Sequence, residues 1–192
     1  MQVSRAVVNA GIAEMEQKGF LVVKPRIGTF VEDYHRNGTI ETLVALMKYN
    51  GGMLRDNEIR SILEIRSIFI ELASTLAAES ATDEEISALR KYLEPLSDCT
   101  DYDEAVRLIY EFNHELAFIS RNTLLPLLFA SFKDLVCTLW IRYAQSYGIK
   151  ALYLSSLELY RLLADRNKEG LKEYALSTSQ ESIAGTRPIY TR

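Results

Sequence analysis

Residues 3–31 read VSRAVVNAGIAEMEQKGFLVVKPRIGTFV, and their reading decides the architecture. Ser4 is a good helix N-cap, with a hydroxyl to accept a bond from the first free amides. Val7, Val8, Ala10, Gly11, Ile12 and Met15 follow at helical spacing. Lys18 and Gly19 then give the usual stop, a cation in the last turn and a residue tolerant of positive φ. Beyond the stop, FLVV and GTFV flank KPRI, which predicts two short strands joined by a tight basic turn. A helix followed by a two-stranded wing is the second half of a winged helix-turn-helix, so a partial module of this kind is expected over residues 1–35.

Working outward, residues 36–52 predict a connector. Asn37-Gly38 marks a turn, Thr39 can cap a short helix through Tyr49, and Gly51-Gly52 can end it. From residue 53 to 192 every segment has helical periodicity. Thr82 opens TDEEISALRKYLEPL with the Thr/Glu spacing of a capping box, and Asn122 with Pro126 breaks the chain before a long apolar segment that Gly148 ends. About six helices and no strand are expected, which makes the fold mainly α: a partial winged helix-turn-helix, then an all-α bundle.

The chain has 192 residues, 48% of them hydrophobic and 25% charged, with a net charge of −4. An acidic chain that binds DNA must do so through a local basic surface. Residues 3–31 supply one, with Arg5, Lys18, Lys24 and Arg26 against Glu14 and Glu16. The two cysteines, Cys99 and Cys137, lack metal-binding spacing and suit a reducing compartment. No basic segment followed by an apolar run suggests a secretory signal, and no apolar stretch approaches the ~20 residues a bilayer needs. A soluble cytoplasmic protein is expected. Nucleophile elbow, glycine-rich phosphate loop and zinc signature are all missing, so no enzyme and no cofactor is expected.

SRAVVNAGIAEMEQKGFL followed by KPRIGTFV resembles the recognition helix and wing of GntR-superfamily bacterial transcription regulators. EIRSIFIELASTLAA and FNHELAFISRN are similar to helices of the effector domain in that superfamily's FadR branch. The resemblance implies two further helices ahead of the recognition helix. They are not in this sequence, whether Met1 is an internal methionine taken as the start, a cleavage product or the head of a shortened chain.

In such a regulator the helix start meets base edges in the major groove, which points to Ser4, Arg5 and Asn9. Lys24 and Arg26 at the wing tip can reach phosphate, with Gly28 opening the returning strand. The resemblance also implies a homodimer on a palindromic DNA operator and a small-molecule effector.

Most members of the branch resemble a metal-centred design in which one Asp and three His hold a divalent ion. With FNHELAFISRN aligned on its last residue, the His position falls on Asn113 and the Asp position on Ile109, and only His35 and His114 exist in the chain. No metal is therefore expected. The remaining type senses a fatty acyl-CoA or another lipophilic carboxylate. For it, Ile109, Phe112, Leu116, Phe129, Phe132, Trp140 and Leu163 are candidates for an apolar tunnel. Arg66, Asn113, Arg142, Tyr143 and Tyr160 are candidates for its polar end, and His114 is expected beside it. The competing reading is a helical sensing or interaction domain that does not bind DNA in this form.

Overall fold

A computed structural model describes residues 4–50 and 53–189. The chain divides into two compact units, residues 1–53 and 54–192. The expected end of a connector helix at Gly51-Gly52 lies outside the described residues.

In the first unit, helix α1 spans Arg5–Gln17 and Ser4 is its N-cap, its hydroxyl accepting from the Val7 amide at 3.4 Å. Gly19 adopts φ +74°. The Phe20 amide returns to the Met15 carbonyl at 2.9 Å and the Gly19 amide to Glu16 at 2.9 Å, closing the helix with a left-handed residue. Strands β1 (Leu21–Lys24) and β2 (Gly28–Val31) pair antiparallel, with Lys24 opposite Gly28. The Ile27 amide bonds the Lys24 carbonyl at 3.0 Å across Pro25 and Arg26, and Arg26 takes φ +66° as the third residue of the turn. Glu16 ties helix to wing by accepting from the Val23 amide at 2.9 Å.

A short helix α2 (Tyr34–Asn37) leads to α3 (Ile40–Tyr49), which starts at Thr39 as the sequence predicts. Residues 40–49 are more than a tether. Thr42 is 2% exposed, and its hydroxyl donates to the Lys18 carbonyl at 2.6 Å while accepting from the Thr39 amide.

The second unit contains eight described helices: α4 (Asp56–Ser80), α5 (Asp83–Ala88), α6 (Arg90–Leu96), α7 (Tyr102–Ile119), α8 (Leu125–Ser131), α9 (Lys133–Tyr147), α10 (Ile149–Ala164) and α11 (Lys168–Ala184). This exceeds the six expected because two segments divide. The segment opened by the Thr82 capping box turns at Leu89, whose amide bonds Ile86 three residues back, and becomes α5 and α6. The long apolar segment divides at Phe132, which has φ −90° and ψ 1°. Gly148 ends α9 at φ +87°, as its position predicts.

Helices α4 and α11 form the backbone of this unit. Ala73, Ser74 and Ala77 are fully buried on α4, small enough to let a neighbour approach closely. Hydroxyls then bridge the helices: Ser67 donates to the Ala175 carbonyl at 2.8 Å and Ser179 to the Leu63 carbonyl at 3.0 Å. Arg166 donates to the Ala78 and Ala81 carbonyls, both at 2.8 Å, and satisfies the C-terminal end of α4. Phe112, Leu116, Leu135 and Leu163 are fully buried and mark the core. After α11 the chain folds back. The Ile189 amide bonds Ser182 at 3.1 Å and the Tyr147 hydroxyl donates to the Pro188 carbonyl at 2.7 Å.

Candidate functional site

Two places have the chemistry that the sequence implies, one in each unit. In the first, Ser4 is committed to capping α1, while Arg5 and Asn9 stand exposed on its opening turns. Lys24, Arg26 and Gly28 meet at the wing tip. The Lys24 ammonium lies 5.4 Å from the centre of the Phe30 ring. Among the described residues, Arg5, Lys24 and Arg26 have no carboxylate at ion-pair distance. Helix start and wing tip together offer three uncompensated cations and a carboxamide. Helix α1 has no buried residue, and Val7, Val8 and Met15 are 58%, 46% and 46% exposed.

In the second unit a cavity of about 360 Å³ lies among α4, α7, α9, α10 and α11. Each helix contributes one stripe at helical spacing: Leu63, Arg66, Ser67 and Ile70 from α4, Ile109 and Asn113 from α7, Val136, Leu139, Trp140 and Tyr143 from α9. Helix α10 adds Leu152, Ser155 and Ser156, and α11 adds Tyr174, Ala175 and Thr178. Arg187 and Ile189, from the segment after α11, complete it.

Arg66 is the unusual member. Its Nε is enclosed and has no hydrogen-bond partner, the one such buried side-chain atom among the described residues. No carboxylate lies at ion-pair distance of its guanidinium among those residues. Instead the guanidinium faces the Trp140 ring at 6.0 Å. Burial lowers its pKa below the ordinary arginine value, partly offset by the Tyr174 and Tyr143 phenols. Tyr174 is half-buried, loss of solvent around its phenol pushes its pKa up, and its hydroxyl shares a 2.7 Å bond with Ser155. Asn113 is 4% exposed and donates to the Ile109 carbonyl at 2.8 Å. Arg187 donates to the Tyr143 hydroxyl at 3.0 Å. Such a site can accept an anionic group against Arg66 and an apolar body against Ile70, Val136, Leu139 and Trp140.

Of the candidates named from the sequence, Arg66, Ile109, Asn113 and Tyr143 come together here. Arg142 and Tyr160 do not. Arg142 follows the α9 stripe by about 100° of helix rotation, which carries it off the cavity wall. Tyr160 faces another neighbour, its hydroxyl accepting from Arg90 at 2.8 Å. From the expected tunnel only Ile109 and Trp140 line the cavity. Phe112, Leu116 and Leu163 are plain core, and Phe129 and Phe132 pack on Phe69. His114 sits apart from the lining, 3.1 Å from the Pro126 carbonyl and stacked on Tyr110. His35 belongs to the first unit. Among the described residues, no three His, Cys, Asp or Glu side chains gather as metal ligands.

Tyr174 and Thr178 on α11 and Ser155 on α10 were missed by the sequence reading, because α11 has little amphipathic period and Ser155 is a small polar residue on a helix read only for its apolar stripe. Arg187 and Ile189 carry no periodic signal at all.

The chain thus joins a helix-and-wing unit to an α-helical unit that contains a cavity. Residues 61–177 match the FCD domain, and the chain belongs to the GntR family of transcription regulators, of which this helical domain is a part. It is 21% identical over 174 residues to the HTH-type transcriptional regulator LutR of Bacillus subtilis, covering 86% of this chain and 77% of LutR. Its fold is shared with a solved GntR of Streptococcus agalactiae (TM-score 0.55, 16% identity, 94% of this chain and 82% of that one). A second solved structure, of the Listeria monocytogenes regulator Lar, described as controlling the agr system, aligns with TM-score 0.63 at 18% identity. That match covers 95% of this chain and 80% of the other. None of the described helices is long and apolar enough to cross a membrane.

Proposed function

We propose that this regulator responds to an organic carboxylate with an apolar body, bound in the helical unit with its acid group on Arg66. The observation that carries the reading is the enclosed, unpartnered Arg66 Nε on the wall of the cavity. An enclosed guanidinium nitrogen without an acceptor is costly, and a ligand carboxylate supplies both a counter-charge and the missing acceptor. Apolar side chains on the facing stripes favour a lipophilic body. A volume of about 360 Å³ lies near the low end of the ~300–1,000 Å³ typical of ligand pockets. That supports a short or medium-length acid, the acyl portion alone, over a complete acyl-CoA with its nucleotide head.

DNA is the second partner in this reading. Arg5 and Asn9 read base edges, Lys24 and Arg26 meet phosphate or an adjacent groove, and a homodimer presents two such heads to a palindromic site. Ligand binding shifts the population of DNA-competent dimers.

The test is thermal unfolding with octanoate, octanol and octylamine. Octanoate is expected to raise stability by about 2.7 kcal/mol at a hundredfold excess over its Kd, with octanol and octylamine far weaker. An equal shift from octanol, or none from octanoate, overturns the carboxylate reading.

A further inference from the structure

The stretch after α11 is built into the site. Gly185 through Ile189 crosses the end of the cavity and is tied down at four points: Thr186 donates to Glu181 at 2.7 Å, Arg187 to the Tyr143 hydroxyl at 3.0 Å, Tyr147 to the Pro188 carbonyl at 2.7 Å, and the Ile189 amide to Ser182 at 3.1 Å. Ile189 is 5% exposed and lines the cavity, whereas Arg187 lines it from an exposed position. The strap therefore brings an apolar side chain inward and leaves a guanidinium at the mouth.

Arg187 shares a property with Arg66. Among the described residues neither has a carboxylate at ion-pair distance. The Tyr143 hydrogen bond and Glu181, which also lines the cavity, hold the Arg187 pKa up, but Glu181 stands beyond ion-pair distance and one of its oxygens is engaged by Thr186. Glu158 also lines the cavity but is exposed. Tyr143 links the two cations, holding Arg187 through its hydroxyl while lining the same wall as Arg66. One cavity thus contains two guanidinium groups with no carboxylate at ion-pair distance among the described residues, one with its Nε enclosed and one hydrogen-bonded to Tyr143 at the rim, with Leu139, Trp140 and Ile189 among the apolar side chains around them.

We infer that the strap makes the site selective for a ligand with an acidic group at each end of an apolar segment, a medium-chain dicarboxylate. Arg66 takes the inner carboxylate and Arg187 the outer one. Tyr143 is the positioning residue that aims Arg187, and Ile189 packs on the methylene chain and keeps water from the inner pair. This inference rests on the carboxylate reading of the cavity and adds to it the second acid and the residue that selects for it.

The test is calorimetric titration of octanedioate and octanoate into the full chain and into R187Q, I189A and Y143F. Wild type is expected to bind octanedioate roughly fivefold more tightly than octanoate, the scale of a partly exposed ion pair. R187Q should bring the two acids to equal affinity, Y143F should shrink the preference, and I189A should weaken both acids. Equal affinities in wild type, or a preference for octanedioate that survives in R187Q, overturn the inference while leaving the Arg66 reading in place. Binding of neither acid to wild type overturns both.

Discussion

Helices α1 and α4 start from the same kind of sequence and meet different fates. Both are amphipathic, but α1 buries none of its 13 residues whereas α4 buries eight of its 25. The apolar stripe of α4 is answered by α11, with hydroxyl bridges from Ser67 and Ser179 fixing the register. Val7, Val8 and Met15 on α1 have no such answer. An apolar stripe states what a helix can bury, and only a facing element of matching shape turns that into stability. The wing unit is therefore held largely by individual hydrogen bonds, such as Val23 to Glu16 and, across 24 residues, Thr42 to Lys18. The helical unit is held by packing, and among the described residues the one buried side-chain atom without a hydrogen-bond partner, Arg66 Nε, sits on its cavity wall.

The largest expected effect separates the two directly. Phe112→Ala removes a fully buried ring from the helical core and should cost about 3–5 kcal/mol in urea unfolding. Val8→Ala on α1 should change stability by less than about 0.5 kcal/mol. Comparable losses from both would mean that α1 is as tightly packed as α7.

Arg166→Ala tests the bonded end of α4. The guanidinium donates to two carbonyls and to Asp83, with its side chain about a third exposed. A loss of about 1–2 kcal/mol is expected, seen in the same unfolding curves. No loss would mean that water caps α4 equally well.

The smallest effect is a pH dependence. Burial pushes the Cys137 thiol up to about 11 from an ordinary value of 9.0. A raised acid binds its proton longer in the folded state, so its contribution is complete below pH 9 and lost as pH rises toward 11. Cys137→Ala should flatten that decline, read as melting temperature against pH. In the same range, Cys137 should react more slowly with a thiol reagent at pH 8 than a free cysteine does. Rapid labelling at pH 8 would contradict its burial.

Much of the wing unit was legible because punctuation does the work there. Ser4, Gly19 and the Pro25-Arg26 turn each carry a local backbone demand that is visible in the residue type. The helical unit was legible in its periodicity and less so in its breaks. Leu89 and Phe132 are apolar residues with no stop chemistry, and the chain turns at them for tertiary reasons. Arg66, Ile109 and Asn113 were named through resemblance to related helices and Tyr143 from composition, and the packing places all four on the cavity wall. Arg142 and Tyr160 lie off the cavity wall, because composition suggests polarity without saying which face of a helix carries it. Arg187 was invisible because its contact with Tyr143 spans 44 residues from a segment without period.

In the proposed reading the helical unit is organised around Arg66, whose enclosed Nε awaits a carboxylate. Thermal unfolding of wild type and Arg66→Met, each with and without saturating octanoate, tests it most directly. Replacing this half-buried arginine, whose Nε has no acceptor, by an apolar side chain of similar length should leave the ligand-free protein as stable or about 1 kcal/mol more so, and should abolish the octanoate shift. A ligand-free variant destabilised by several kcal/mol, or an octanoate shift that persists without Arg66, would contradict the account.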